Sequence, residues 1–416
     1  MTLLSQTTLD RSDSDALPAR YRTVRAETER RTAPLSGEDQ QIQSMPDCSP
    51  AKWHRAHTSW FFETFVLAAR PGYAPVDPAY GYLFNSYYEA VGPRHPRPER
   101  GLLSRPSAEA VGNYRVAIDS RMASILKQGV DAATAVIVEL GLQHEQQHQE
   151  LILTDIKHAF WSNPLKPAYA AAVGAPEGEA PAAGWVEIPT GIHEIGWDGA
   201  GFAFDNEGPR HRVYLKECRI ATRPVSVGEY LCFVDDGGYE RPEFWHSDGW
   251  ARVQAEGWRL PLYWSRSGTG WEQFTLAGTR ALIASEPVQH VSWYEASAYA
   301  AWAGKRLPTE FEWEVAVARL DATPAPSGRP HVDPMTLPVS IGQVWEWTAS
   351  AYAPYPGYRP PAGAIGEYNG KFMSGQMVLR GSSWATPAGH ARSTYRNFFP
   401  PWARWQASGI RLAEDL

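Results

Sequence analysis

Cysteine is scarce in this 416-residue chain, with Cys48, Cys218 and Cys232 the only three. They are too few and too scattered for a disulfide framework or a Cys-rich zinc site. Long apolar runs are missing as well. None reaches the roughly 18 residues of a membrane span, and the polar first residues lack the apolar core of a signal peptide. There is no basic excess: a net charge of -7 and a pI near 6.0 argue against nucleic acid as the main partner. The expectation is a cytoplasmic protein with no membrane and no nucleic-acid partner. Tryptophan is sparse in the first part, where only Trp53, Trp60 and Trp161 of the 18 precede residue 184. The length suits two domains, and the tryptophan divide implies that they differ in architecture.

What is present centres on Leu142-Gln143-His144-Glu145-Gln146-Gln147-His148-Gln149-Glu150, inside a run from 142 to 163 without Gly or Pro. The pattern predicts one helix over 131–160. At about 100° per residue, Ile137, Leu140, His144, His148 and Leu151 fall on one inward stripe. Two imidazoles one turn apart then stand where leucines are expected, a spacing that lets both bind one metal ion. A single buried His is more often a hydrogen-bonded core residue; a pair on one stripe favours a metal. The string His144-Glu145-Gln146-Gln147-His148 also matches the zinc-protease pattern, with Glu145 as general base. That reading needs a third ligand downstream. His158 is wrongly spaced for it, and the better third ligand lies upstream, which points to a redox metal on a bundle.

Upstream, the first 14 residues read as disordered and 17–31 as a polar helix, and Ser36-Gly37-Glu38-Asp39 could open a short second one. Ser49-Pro50 reads as an N-cap followed by proline at the first helical position. The helix it opens carries Trp53, His57, Trp60, Phe61 and Thr64 at helical spacing, with His57 inside the aromatic stripe. His54 lies at its polar edge, so His57 is the better ligand candidate; a core histidine is the plainer alternative. Residues 71–106 form a long Gly/Pro/Tyr/Arg loop with Tyr87, Tyr88, Arg94, Arg97 and Arg100. Such a loop either covers a site and binds a carboxylate or is a solvated basic loop packed by its tyrosines. Ser107 opens a further amphipathic helix, which makes a four-helix bundle over 15–164, the metal ligands on facing helices. Residues 165–184, rich in Ala, Pro and Gly, read as a linker. From Trp185 short β-type runs take over, interrupted by helical pieces at 226–234 and 292–303. Little regular structure is expected there, with aromatic packing and ion pairs holding the fold.

Several segments are shared with a known fold. Phe204-Asp205-Asn206-Glu207-Gly208-Pro209-Arg210-His211, Pro287-Val288-Gln289-His290-Val291-Ser292-Trp293, Gly304-Lys305-Arg306-Leu307-Pro308-Thr309-Glu310, Trp345-Glu346-Trp347-Thr348 and Arg380-Gly381-Ser382-Ser383-Trp384 make 185–416 resemble the sulfatase-modifying-factor domain, a C-type-lectin-like fold related to formylglycine-generating enzyme. Residues 15–163 resemble the DinB-like bundle. Their fusion, with Ser49-Pro50-Ala51-Lys52-Trp53-His54-Arg55-Ala56-His57-Thr58 and the His144/His148/Glu150 motif, is similar to the EgtB-type sulfoxide synthases of ergothioneine biosynthesis. The implied fold class is α+β and multidomain.

The resemblance implies Fe(2+) held by His57, His144 and His148, with His54 outside the set. It implies joining of a thiol to hercynine (Nα-trimethylhistidine) with dioxygen, giving a sulfoxide. Hercynine contacts map to Gln147 and Asn397. An acidic residue of some members is replaced here by Phe399, so Phe398 and Phe399 are expected to hold the trimethylammonium by cation–π contact. Members with a similar tyrosine pair and Gly92-Pro93-Arg94-His95-Pro96-Arg97 use free cysteine, its carboxylate held by an Arg. Arg97 is the first choice, with Arg94 and Arg100 as alternatives. Tyr87 or Tyr88 is the expected proton donor. By helix geometry Glu150 points about 160° away from His148, which suits support of the ligands rather than metal binding. γ-Glutamylcysteine or a selenium donor are alternative co-substrates. A formylglycine-generating enzyme would need reactive cysteines near its C-terminus, and none follows Cys232. A non-catalytic lectin-like binding protein is the reading from another class; the histidine set argues against it.

Overall fold

The computed structural model describes residues 11–171, 182–268, 270–320 and 341–416. Residues 1–10 and the central part of the expected linker, 172–181, lie outside them. The chain divides into two compact units, Met1–Ala159 and Phe160–Leu416.

The first unit contains helices α1 (Arg11–Thr32), α2 (Ala51–Phe62), the single turn α3 (Tyr80–Leu83), α4 (Ala108–Gln128) and α5 (Ala132–Ser162), whose last turn runs on into the second unit. Helix α1 starts earlier than the sequence led us to expect, and Pro18 lies inside it. An interior proline removes its own N–H from the ladder and crowds the carbonyl four residues back, so Pro18 weakens the first turns of this helix. Helix α4 starts where expected, with Ser107 Oγ accepting from the Ala110 N–H. At the start of α5 the Thr134 N–H donates to Asp131 Oδ1 at 2.7 Å.

Two local expectations fail. Ser49 does not cap α2: the cap residue is Pro50, with no side-chain cap bond, and its carbonyl accepts from the N–H groups of Trp53 and His54. The Ser49 hydroxyl instead accepts from Arg100 at 3.0 Å. The inward stripe on α5 is also too narrow a description. Of residues 141–150 only Gln147 escapes full burial, while Ile137, Leu140 and Leu151 are only half-buried. Polar side chains beyond the stripe are buried because they have partners: Glu145 has two arginines, and the Gln149 amide donates to the Val24 carbonyl and to Thr28.

Arg25 shows how. From α1 it donates to Asp119 of α4 at 2.7 Å, Glu145 of α5 at 2.8 Å and Ser59 of α2 at 2.8 Å, so one guanidinium ties all four long helices. Arg115 of α4 closes the same cluster, donating to the other Glu145 oxygen at 2.9 Å and to Thr58 at 2.9 Å. Every residue of α2 is buried. Gly141 lets α5 approach α2: a Cβ there would sit 2.6 Å from Phe62 and 2.8 Å from Phe61.

The second unit follows the expected pattern of short strands. Strands β1 (Trp185–Ile188), β4 (Cys218–Ala221) and β12 (Ala413–Asp415) form one sheet in the order β1-β4-β12, and β2 (Gly191–Ile195) pairs with β3 (His211–Leu215). Strands β5 (Trp264–Ser267), β6 (Gly270–Thr275) and β7 (Gly278–Ala281) make a third sheet. The fourth, in the order β10-β9-β8-β11, contains β8 (Trp345–Ala351), β9 (Met377–Arg380), β10 (Asn397–Phe399) and β11 (Ser408–Gly409). Helices α6 (Val227–Asp235), α8 (Trp293–Trp302) and α9 (Glu310–Arg319) each open on a reciprocal capping box, Ser226/Glu229, Ser292/Glu295 and Thr309/Glu312. Helix α7 (Ser247–Glu256) ends on Gly257 in the left-handed region, φ 68°. Buried ion pairs hold the loops. Arg396 grips both oxygens of Glu310 at 2.7 and 2.9 Å, and Arg411 both oxygens of Glu346 at 2.6 Å.

Candidate metal centre

His57 lies in α2, His144 and His148 one turn apart in α5. All three are buried, and one nitrogen from each lies within 4.8 Å of the others. Among the described residues no other group of His, Cys and carboxylate side chains converges this way.

Hydrogen bonds on the outer edges decide which nitrogens face inward. The Nδ1 of His57 is 2.6 Å from the Phe84 carbonyl, so it carries the proton and leaves Nε2 with a bare lone pair. That Nε2 lies 3.2 Å from Nε2 of His144. Two bare imidazole nitrogens repel at this distance unless a proton or a cation stands between them. Burial holds His57 well below the usual imidazole range, helped by His144, and does the same to His148; it pushes His144 down to about 3. Neutral, converging, desolvated imidazoles are the donor set of a transition-metal site, so the residues fit a bound cation.

Aromatic rings wall the set. Trp53 lies almost parallel to the His57 ring at 4.6 Å and Trp60 likewise at 5.4 Å, while Phe61 leans on His144 at 5.0 Å. Arg100 sits over Trp53, 3.4 Å from the ring centroid. This wall keeps water from the imidazoles and limits their rotation.

His54 is buried but faces elsewhere, with Nδ1 2.7 Å from Nδ1 of His148 and Nε2 3.1 Å from Asp155. Glu145, the base of the protease pattern, is fully buried and holds Arg25, Arg115 and Thr28. Burial alone would raise its carboxyl, but Arg25 and Arg115 outweigh it and hold it below the usual range. A carboxylate so engaged has no free oxygen to activate water. Glu150 is buried.

The 71–106 loop separates its candidates. Tyr88 is buried and packs against Trp60 at 5.6 Å and Phe65 at 5.1 Å, with the half-buried Tyr87 stacked on it at 4.8 Å. Arg94 pairs with Glu89 at 2.6 Å, and Arg97 donates to the Asp47 carbonyl; both are exposed. Arg100 is 3% exposed. Asn397, Phe398 and Phe399 are β10 of the second unit, where Phe398 is stacked between Tyr352 at 4.0 Å and Phe372 at 5.8 Å. Asp155 escaped the sequence reading, although it lies seven residues past His148, two turns on along the same face of α5.

Fold and site together define a class: a helical bundle with a three-histidine centre, followed by a sulfatase-modifying-factor domain. The model of the sulfatase-modifying factor enzyme 1-like domain matches residues 171–329 and 319–416. Hercynine oxygenase of Mycobacterium tuberculosis is 33% identical over 408 residues, covering 89% of this chain and 92% of that protein. The hercynine oxygenase of Mycolicibacterium thermoresistibile is 31% identical over 411 residues, covering 89% and 88%. Bovine formylglycine-generating enzyme is 35% identical over 145 residues, 31% of this chain and 38% of that protein. The chain belongs to the hercynine oxygenase family, the EgtB-type sulfoxide synthases.

Proposed function

We propose that this protein is a non-heme iron(II) oxidoreductase that uses dioxygen to join hercynine to the thiol of cysteine. The observation that carries the reading is the convergence of three neutral, buried imidazoles in a chain of this family. The reaction balances as thiol plus hercynine ring C–H plus dioxygen giving hercynylcysteine sulfoxide plus water. A C–S bond and an S=O bond form, supplying the four electrons that dioxygen accepts.

Fe(2+) held by His57, His144 and His148 would supply the open coordination positions and the redox chemistry that bring thiolate and dioxygen together. The chain's own residues do the rest. Gln147, the least buried residue on its stretch of α5, lies about 60° around the helix from His144 and is placed to orient the substrate imidazole without competing for metal. Asn397 is a second hercynine contact, and Phe398 and Phe399 offer ring faces to its trimethylammonium group. Arg97, or Arg94, holds the donor carboxylate. Tyr88, or Tyr87, supplies the proton. These assignments rest on the family resemblance. No described helix is long and apolar enough to cross a membrane, and the acidic balance suits small-molecule substrates rather than nucleic acid in a cytoplasmic protein.

The test is anaerobic reconstitution with Fe(2+), then addition of hercynine, a thiol and air, with product mass and oxygen uptake recorded. The sulfoxide from cysteine, dependent on iron and lost in His57→Ala, His144→Ala and His148→Ala, is the expected outcome. Preferred turnover of γ-glutamylcysteine or of a selenium donor would overturn the donor assignment. Metal-free binding without oxygen uptake would favour the lectin-like reading.

A further inference from the structure

His54 and Asp155 lie outside the three-histidine set, yet both are buried and each is joined to it. From α2, the His54 ring spans between His148 and Asp155, its Nδ1 2.7 Å from His148 Nδ1 and its Nε2 3.1 Å from Asp155 Oδ2. Asp155 Oδ2 also accepts from the Ser49 N–H at 2.8 Å, which fixes the carboxylate at the entry to α2. His54 is 2% exposed and Asp155 5%, so water does not compete for these contacts.

The hydrogen positions follow from the partners. An ionised carboxylate only accepts, so the His54 proton is on Nε2. A neutral His54 then has a lone pair at Nδ1, and the 2.7 Å contact needs the proton of His148 Nδ1. A neutral His148 protonated at Nδ1 has its lone pair at Nε2, the nitrogen left to serve as a ligand. Reversing the chain would put the proton on Nε2 of His148 and remove its capacity as a ligand.

We infer that Asp155 and His54 form a positioning relay that fixes the tautomer and ring orientation of His148 and so sets the metal affinity of the centre. The inference rests on the metal reading proposed above. Carboxylate–histidine pairs behind a metal ligand act in this way generally, and their loss lowers metal affinity about 10–100-fold. This relay is longer by one imidazole. His57 is served differently, by the Phe84 carbonyl and by the two tryptophans flanking its ring. Loss of the relay should therefore act through His148 alone.

Co(2+) serves as the probe, titrated into the full-length metal-free protein, with affinity from chelator competition and ligand environment from its visible absorption. His54→Phe keeps a ring and removes both nitrogens; Asp155→Leu keeps the bulk and removes the acceptor that holds the His54 proton on Nε2. Both variants are expected to fold, by far-UV circular dichroism and denaturant midpoint, and to bind Co(2+) about 10–100-fold more weakly with a changed spectrum. His54→Asn returns an acceptor near the Nδ1 position and should recover part of the loss. Nitrogen-15 NMR of the metal-free wild type should show His148 protonated at Nδ1, and in His54→Phe that preference should vanish. Wild-type affinity and spectrum in folded His54→Phe would overturn the relay while leaving the metal centre standing. Failure of the wild-type chain to bind Co(2+) or Fe(2+) would overturn the centre itself, and the relay with it. If His54→Phe does not fold, the NMR tautomer of wild-type His148 decides: a proton on Nε2 refutes the relay.

Discussion

Arg25 and Glu145 meet at 2.8 Å with both side chains out of water, and Glu145 stands next to His144 of the three-histidine group. Its other oxygen takes Arg115, so two guanidiniums share one carboxylate. Breaking one side of such a pair strands a buried charge, which costs about 3–5 kcal/mol. Glu145→Ala should therefore lower the unfolding free energy by that amount in a urea titration. A catalytic base would behave otherwise, with stability kept and only activity lost; an unchanged midpoint in Glu145→Ala would refute the structural role.

The pH response of the metal-free protein follows from the buried histidines. Burial puts the folded-state pKa of His57 and His148 well below, and that of His144 at about 3, against an unfolded value near 6.5. Between those limits the unfolded chain binds more protons than the folded one, so stability rises with pH there. Stability from this source is complete above about pH 6.5 and is lost as pH falls toward about 3. Urea midpoints of the apoprotein from pH 8 to pH 4 should fall mainly below pH 6.5, and less so in His144→Phe. A flat profile would contradict the neutral-imidazole assignment.

Tyr87 and Tyr88 are expected to carry the proton that directs the reaction to sulfoxide rather than to simple oxidation of the thiol. Tyr88, buried against Trp60, is one ring contact removed from the His57 stack. The double change Tyr87→Phe and Tyr88→Phe keeps the rings and removes only the hydroxyls. Iron binding should survive while product shifts from hercynyl sulfoxide toward cysteine sulfinate, measured by mass spectrometry. An unchanged product ratio and rate would make both tyrosines packing residues.

Among the described residues no carboxylate pairs with Arg97, which donates to the Asp47 carbonyl. A charge-assisted contact to the donor carboxylate is worth roughly 1.5–3 kcal/mol. Arg97→Ala should raise the Michaelis constant for cysteine about ten-fold or more while leaving that for hercynine nearly unchanged. Arg94→Ala, which breaks the pair with Glu89, is the comparison. Equal effects on both substrates would place Arg97 outside the thiol site.

What the sequence determined is what short-range geometry controls. His144 and His148 share a helix face because four residues make about one turn, and the long run without Gly or Pro fixes that helix before any packing is known. The helical pieces opening at Ser226 and Ser292 are legible in the same way, while the capping boxes that open them, and the box and helix at Thr309, came from the structure. The preference for His57 over His54 came from the aromatic stripe it shares with Trp53 and Trp60, and the structure places those rings on its two faces.

Tertiary structure decided the rest. His54 and His57 are both buried on one helix, and only the partners brought in by other segments, the Phe84 carbonyl and Asp155, settle where each ring points. Ser49 has the sequence of a helix cap, but Arg100, 51 residues away, takes its hydroxyl. The burial of Glu145 could not be read from periodicity, because a carboxylate counts as exposed until Arg25 and Arg115 neutralise it. Periodicity reports one helix's preference for water; burial of a charge depends on a counter-charge that the fold alone supplies.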